Sequence, residues 1–340
     1  MTPLYRVRVG GNDVSSRVAP YLLSLEVNLS DDPSADTARL VLEDAMGRLQ
    51  MPPERAPVEI DLGTSETGAA HVFSGFVDVP RGEGSRGGGR ELHVEAKSAD
   101  PQGDAKKPAE RHFDDVSVED ALNKAAQAAG LSVRVHPQLA SIRREYLALD
   151  GHSFEGFGAM LAEDLGATFK IMGRQALLIP RNGGLSASGR PLVPIMAAAG
   201  VNLERWSLTP VRGKPRWRRV RVRTWDPKKA KYIYKDKDVE EMEASDVLSL
   251  RPADDEDVAD KRAEGGAAES ARDKGEGSLT ILGNVAAQPG APVTVSGTRP
   301  GLDGIYQAAS IRHALSRGEG FTTTIDLKRP APGADTRKAA

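Results

Sequence analysis

Apolar and polar residues alternate with a period of two along much of this chain, and that pattern limits the possible folds more than any other feature. It demands extended strands with one wet face. Residues 304–329, "GIYQAASIRHALSRGEGFTTTIDLKR", carry it most clearly. Ile305, Gln307, Ala309, Ile311, His313 and Leu315 fall on one side of an extended chain, and Tyr306, Ala308, Ser310, Arg312 and Ala314 on the other. "SRGEG" supplies glycines for a turn. Phe321, Thr323, Ile325 and Leu327 then alternate with Thr322, Thr324, Asp326 and Lys328, and the β-branched threonines favour a strand. The expectation is a long β-hairpin. His313 lies on its mostly apolar side with no Ser, Cys or metal-ligand partner at a useful spacing, which favours a structural histidine over a chemical one.

The first hundred residues follow the same rule. Tyr5, Val7 and Val9 alternate with arginines. Leu23, Leu25, Val27 and Leu29 alternate with Ser24, Glu26 and Asn28. Val58, Ile60 and Leu62 form a third such run, followed by "HVFSGFVDV" and, after a glycine-rich turn at "PRGEGSRGGGR", by Leu92, Val94 and Ala96. About six short strands predict a small antiparallel barrel or sandwich. The period then changes. Ser117 with Asp120 three residues on starts a helix over "VEDALNKAAQAA" that stops at Gly130. Ser153 starts a second, with Phe154, Phe157, Leu161 and Leu165 on one face and Gly166 at its end. "LSVRV", "ATFKI" and "QALLIP" complete an α/β unit near residue 180, and "RNGGLSASGRP" reads as a linker. "NLERWSLTP" and "RWRRVRVRTWD" look like strands. Residues 236–277 read equally as a surface helix interrupted by Gly265 and Gly266 or as a solvated loop. Strands resume at "SLTILG" and "APVTVSG". "HVFSGFVDV" with "RELHVEAKSAD" echoes "VTVSG" with the 304–329 hairpin, which raises the question of an internal repeat.

With 340 residues the chain is long for one core, so two or three domains are expected. Aromatics are only 5% of it, so the cores must be built from Val, Leu, Ile and Ala. A net charge of -2 gives no global attraction to nucleic acid or anionic membrane. The absence of cysteine excludes disulfides, a thiolate nucleophile and cysteine zinc sites. "MTPLYRVRV" has no apolar core of a signal peptide, and no run of about 18 apolar residues occurs, so no membrane span is expected.

Motifs that could carry chemistry are few. "GEGSRGGGR" lacks the Lys-Ser/Thr ending of a phosphate loop and joins two strands, so it reads as a flexible hairpin tip. The six histidines, among them His93, His136 and His152, are scattered and form no metalloprotease motif. Asp31, Asp32, Asp114, Asp115 and Asp150 sit mostly in loops or near helix starts, where solvated or capping roles are common. In "RGKPRWRRVRVRTW" an extended chain puts Trp217, Arg219, Arg221, Arg223 and Trp225 on one face. That combination suits a protein interface, or a nucleic-acid surface, or a channel lining. The neutral background favours the interface. No catalytic residue, cofactor or metal is expected.

The order of elements resembles the phage late control protein D family, the tail hub of contractile-tailed phages, which is related in fold to the N-terminal part of VgrG spikes in type VI secretion. The residues that carry the resemblance are "HFDDVSVEDALNKAAQAAGLSV", "HSFEGFGAMLAEDLGATFKIMGRQALLIP" and "TILGNVAAQPGAPVTVSGTRPGLDGIYQAASIRHALSRGEGFTTTIDLKR". Within the last, the Pro289-Gly290 turn, Gly304-x-Tyr306, His313 and Gly320-Phe321-x-Thr323 fit the pattern. At "DGHSFEGFGAM" the chain departs from the more polar helix entry of family members.

The resemblance implies a mainly β fold with an α/β part: two tube-protein-like antiparallel β-barrels joined by an α/β domain. The expected layout is a first barrel over 1–105, the α/β domain and linker over 106–200, and the second barrel over 201–235 and 278–330. Its parts flank a polar, partly helical insertion at 236–277, and a flexible tail covers 331–340. The implied role is a non-enzymatic, homotrimeric baseplate hub in the virion tail, assembled in the host cytoplasm. The expected partners are the tail spike protein, the tail tube or tube-initiator protein, the tape measure protein and other baseplate proteins. No membrane is involved in the assembled state, and DNA only passes through the lumen. Trp217, Arg219, Arg221, Arg223, Trp225, Tyr306, His313 and Phe321 are the expected ring contacts. The alternatives are a tail-associated peptidoglycan hydrolase using carboxylates such as Asp114 or Asp150, and a nucleic-acid-binding module through the 212–223 basic strand.

Overall fold

The computed structural model describes residues 2–31, 35–100, 102–181, 184, 186, 188, 190–209, 219–226, 229–238, 246–248, 253, 256–272 and 277–328. The alternating segments at the N-terminus become β1 (Pro3–Val9), β2 (Asn12–Asp13), β3 (Leu22–Ser30), β4 (Thr37–Glu43), β5 (Pro57–Thr64), β6 (Gly68–Ser85) and β7 (Gly89–Lys97), with a single helical turn, α1 (Ser15–Val18), between β2 and β3. Their spatial order is β3-β4-β7-β6-β5-β1-β2. Every second side chain is withdrawn from water: Ala38, Leu40 and Leu42 on β4, and Val58, Ile60 and Leu62 on β5, belong to one core with Phe73 and Val94.

A two-stranded ribbon of β8 (Pro108–Ser117) and β10 (Arg143–Ser153) follows, with α2 (Val118–Ala128), β9 (Ser132–Val135) and the short α3 (Pro137–Ala140) between its strands. α4 (Phe154–Asp164), β11 (Ala167–Met172) and β12 (Gln175–Pro180) complete this unit, in which β12 pairs antiparallel with β11 and parallel with β9. Both long helices begin where the sequence indicates. The Ser117 hydroxyl accepts from the Asp120 N–H at 3.1 Å and the Ser153 hydroxyl from the Gly156 N–H at 3.1 Å. Gly130 and Gly166 take positive φ just past the helix ends. Phe154, Phe157, Leu161 and Leu165 are buried together, against Phe169 of β11.

The second β unit contains β13 (Ile195–Ala198) and β14 (Leu203–Leu208) and then, after an excursion, β18 (Gly277–Leu282), β19 (Pro292–Ser296), β20 (Gly304–Ser316) and β21 (Gly320–Lys328). It has its own core around Ile281, Val293, Val295, Ile311 and Ile325. The order is β14-β18-β21-β20-β19-β13, which repeats β3-β4-β7-β6-β5-β1 strand for strand. One difference is that β13 runs parallel to β19 whereas β1 runs antiparallel to β5. The correspondence extends to irregularities. A register shift falls between Val77 and Pro80 on β6 and between Ala308 and Ser310 on β20. Another falls between Leu22 and Ser24 on β3 and between Leu203 and Arg205 on β14. The β6–β7 turn is "SRGGG" and the β20–β21 turn "SRGEG", closed in both by a Ser–Gly pair. The hairpin half of the echo in the sequence is thus a structural repeat, whereas "VTVSG" of β19 corresponds to β5 and not to "HVFSG", which lies within β6, the counterpart of β20. β3 and β20 pair over Ser24–Ser30 and Ser310–Ser316, so both halves belong to one thirteen-stranded sheet.

Three features depart from the sequence expectation. The first concerns 201–235. Apart from an isolated bridge between Thr224 and Ala253, β15 (Arg219–Asp226), β16 (Lys231–Asp238) and β17 (Asp246–Leu248) pair only with one another among the described residues, outside the barrel sheet. Val220 and Val222 need an apolar cover, and they find it in Val258, Ala259 and Ala263 of α5 (Glu256–Arg272). Within 201–235, β14 alone enters the second barrel, accompanied by β13 from upstream. Secondly, α5 runs through Gly265 and Gly266 without a break. A Cβ on Gly265 would lie 3.0 Å from the Cα of Gly166, and one on Gly266 3.0 Å from a Val220 methyl. The two glycines allow close approach on two sides instead of ending the helix. Thirdly, the shift at Ala309 swaps the inward face of β20: Tyr306 and Ala308 are buried before it, and Ile311, His313 and Leu315 after it. Five of the eleven residues of the expected linker at 181–191, and the whole 331–340 tail, lie outside the described residues.

Candidate assembly interface

The outer face of the β15–β16 pair gathers the residues picked out in the basic stretch. The strand register sets Arg219 opposite Asp238, Arg221 opposite Asp236, Arg223 opposite Tyr234 and Trp225 opposite Tyr232. Arg221 donates two hydrogen bonds to Asp236, each of 2.8 Å, and Arg219 donates one of 2.6 Å to Asp238. The Arg221 guanidinium, foremost among its contacts, holds the Asp236 carboxyl below the usual carboxylate range. Arg223 lies 5.1 Å over the ring of Tyr232 and Arg221 5.6 Å over that of Tyr234. Trp225 meets Tyr232 edge to face at 5.2 Å. Trp225, Tyr232 and Tyr234 remain 49%, 43% and 49% exposed. The opposite face is tied to α5 by Lys235 with Glu256 at 3.0 Å and Lys237 with Glu264 at 2.8 Å.

Such a face is suited to a protein partner. Two of its arginines are matched in register by carboxylates, which leaves little uncompensated positive charge for a phosphate backbone. The Tyr232 and Tyr234 rings already carry guanidinium groups, so they offer poor stacking platforms for bases. Aromatic and arginine side chains half-open to water are the composition of interface centres. Trp217 falls outside the described residues.

The other three expected contacts are interior. Tyr306 is buried and donates its hydroxyl hydrogen to the Leu302 carbonyl at 2.6 Å. Phe321 lies in the first barrel's core. His313 is 0% exposed, 6.0 Å from the Phe321 ring and 3.1 Å from the Thr323 hydroxyl through Nδ1. Burial holds its pKa down to about 4, with a backbone group of Ala287 partly opposing. These side chains position strands and do not face a partner.

Sequence reading missed a second surface because its residues are scattered. Met196, Val201, Trp206 and Leu282 are exposed around Asn202, whose side chain bonds the Met196 carbonyl and the Ala198 N–H. β14, which carries Trp206, is open to water on both faces from Glu204 to Ser207. A run of exposed residues in a strand of a barrel was the available signal.

The carboxylates of the hydrolase reading are not brought together. Asp114 pairs with Tyr146 and Asp150 with Glu110 on the β8–β10 ribbon. Asp114 and Asp150 are therefore about four residues apart along the strands, roughly 13 Å, against about 5–9.5 Å for a glycosidase pair. Among the described residues no group of three or more His, Asp or Glu side chains could hold a metal ion, and no helix is long and apolar enough to cross a membrane.

Two buried ion pairs fasten the units to one another. Lys170 of β11 meets Asp36, next to β4, at 2.6 Å, and burial pushes the Asp36 carboxyl up despite that partner. Arg262 of α5 meets Asp164 of α4, both almost fully buried.

No family model matches the chain. It is 25% identical over 192 residues to a probable baseplate hub protein of Escherichia phage 186, and 26% identical over 202 residues to the corresponding protein of Escherichia phage P2. These matches cover 56% and 59% of this chain and 49% and 51% of those proteins, so the chain spans about half the length of the curated relatives it matches. Among solved structures, a prophage MuSo2 tail protein from Shewanella oneidensis superposes with a TM-score of 0.71 at 14% identity, covering 96% of this chain and 98% of that one. A tail protein from Neisseria meningitidis gives 0.69 at 18%, covering 97% of both. An Escherichia coli component of the type VI secretion system gives 0.53 at 10%, covering 100% of this chain and 80% of that one. The fold is that of phage tail proteins, mainly β with few helices.

Proposed function

We propose that the chain is a structural baseplate hub protein of a contractile phage tail or phage-like injection machine. Three copies form a ring that joins a threefold spike to a sixfold tail tube. One observation carries the reading. Each chain contains two barrels of the same strand order, bulges and hairpin turns, fused through the β3–β20 ladder. A ring of three such chains presents six equivalent barrels, which a chain with one barrel cannot do. The likeness to phage hub proteins supports the same role.

The mechanism is geometric. The top of the ring imitates a tube disc, the lower face receives the spike, and the lumen admits the tape measure and then DNA or an effector. The Arg219–Trp225 face of β15, beside Tyr232 and Tyr234, is a contact for a neighbouring baseplate protein. The working place of the chain is the virion tail, reached by assembly in the host cytoplasm. Mass photometry of purified protein, alone and with its spike protein, tests this: a trimer that captures a spike trimer is expected, and a stable monomer that ignores the spike contradicts it. Zymography on cell-wall substrate is expected to show no clearing.

A further inference from the structure

We infer that successive copies of this chain join by pairing β14 of one with the Val79–Ser85 segment of β6 in the next, antiparallel and in the register of the internal β3–β20 joint. The inference rests on the homotrimer reading and deepens it by naming the edges that meet.

The internal joint is the template. Ser24, Leu25, Glu26 and Val27 of β3 pair with Ser316, Leu315, Ala314 and His313 of β20. The repeat makes β14 the counterpart of β3: Leu203 and Leu22 both precede the shift, Arg205 and Ser24 both follow it, and Trp206 stands where Leu25 does. It makes β6 the counterpart of β20: Ser85 and Ser316 both close the hairpin, and Gly84 stands where Leu315 does. Each chain therefore holds one satisfied joint and one unsatisfied copy of each of its halves. Transferring the register sets Ser85 opposite Arg205, Gly84 opposite Trp206, Glu83 opposite Ser207 and Gly82 opposite Leu208.

Both edges are open in the single chain. Beyond an isolated bridge at Leu203, β14 pairs only with β18 among the described residues. The Pro80–Ser85 part of β6 pairs only with β7. Trp206 is 45% exposed and Val79 58%, and Arg81 through Ser85 are open to water. Unpaired edges of this length are normally covered or blocked.

The side chains fit the transfer. At the internal joint Leu25 and Leu315 are both buried in the first barrel's core, to which β20 and β21 contribute Leu315 and Phe321. At the external joint the large Trp206 would meet Gly84, so volume lost on one strand is regained on the other. The glycines of "RGEGS" then have a use: they lie in β6 itself, where an incoming tryptophan needs room, and only Arg86–Gly88 form the turn. Arg205 falls diagonal to Glu83 on one face of the ladder, an attractive cross-strand pair. Because the two edges differ, the contact is head-to-tail, and such contacts form rings where the rotation between copies closes.

The chain has no cysteine, which makes disulfide trapping clean. Two double variants are made, Ser207→Cys with Glu83→Cys, and Leu208→Cys with Gly82→Cys. Neighbouring pairs in an antiparallel ladder have Cα separations of about 4.5 and 5.5 Å, both within disulfide reach. Glu26→Cys with Ala314→Cys traps the internal joint as a positive control, and Ser207→Cys with Glu95→Cys is an out-of-register control. Oligomeric state is read first by mass photometry. In a trimer, oxidation of at least one in-register pair is expected to move most of the chain from the monomer to the covalent trimer position on a non-reducing gel. Mixed single variants are expected to stop at covalent dimers. A trimer that traps at neither pair, or traps equally out of register, overturns the edge assignment and leaves the hub reading standing. A monomer removes both.

Discussion

His313 shows how a residue that invites a chemical role can serve only the fold. The Thr323 hydroxyl oxygen accepts from the Asn284 N–H at 2.9 Å, so its own hydrogen is free for His313 Nδ1 at 3.1 Å. Nδ1 is then the acceptor and Nε2 carries the proton, a neutral imidazole. The folded pKa of about 4 lies below the unfolded value of about 6.5. Between those values the unfolded chain binds more protons, so stability is lost as pH falls through this window and is fully present above it. His313→Gln should flatten the pH dependence of the urea unfolding free energy by about 3 kcal/mol between pH 6.5 and pH 4. Asp36, whose carboxyl is pushed up by burial, acts with opposite sign and cancels in the difference between the two proteins. An unchanged slope would place His313 in water. The Asp164–Arg262 pair makes a second test. Arg262→Met alone removes the buried cation that meets the Asp164 carboxylate and should cost about 3–5 kcal/mol, while adding Asp164→Leu should recover much of it. Sequence marked His313 as structural from its apolar neighbours. It also set Tyr306, His313 and Phe321 among the ring contacts, and all three are interior; for Tyr306 the reason is the bulge at Ala309, which leaves no trace in a period-two pattern.

At the scale of elements, the caps and helix faces were legible and the close approaches were not. Ser117→Ala removes the bond to the Asp120 N–H and should lower stability by about 1 kcal/mol, read as a shift in urea midpoint. Gly265→Ala sets two effects against each other. Intrinsic propensity favours alanine in a helix by about 1 kcal/mol. The new Cβ would press on Gly166 at 3.0 Å, backbone against backbone, and overpacking of this kind costs about 1–3 kcal/mol. Net destabilisation is the expected sign, and a stabilised variant would mean that α4 and α5 can separate. The sequence pattern divided β15 correctly into an arginine–tryptophan face and an apolar one. It could not say which element covers the apolar face, because α5 is joined to it only through space. Trp225→Ala combined with Tyr234→Ala should leave the melting temperature within a few degrees, since both are half-exposed, and should weaken capture of baseplate partners in pull-downs.

At the scale of the whole molecule, the repeat is the feature that sequence could hint at and only topology could establish. Outside the "SRGGG" and "SRGEG" turns the two halves share only scattered aligned residues, among them Ala56-Pro57-Val58 with Ala291-Pro292-Val293 and Lys97 with Lys328, because a barrel asks for alternation and bulges more than for identities. The glycine-rich stretch at 80–90 read as a loose tip, yet its first half is strand. Both halves lie in one sheet through β3 and β20, so their relative rotation is fixed by a ladder and not by a linker. That rigidity is what a ring with pseudo-sixfold symmetry requires. The most direct test of the account is cryo-electron microscopy of the purified full-length protein. It predicts a closed ring of three chains with six barrels, the β3–β20 joint alternating with β14–β6 joints around it. A single chain, or a ring in which the two barrels of a chain do not occupy equivalent positions, would contradict it.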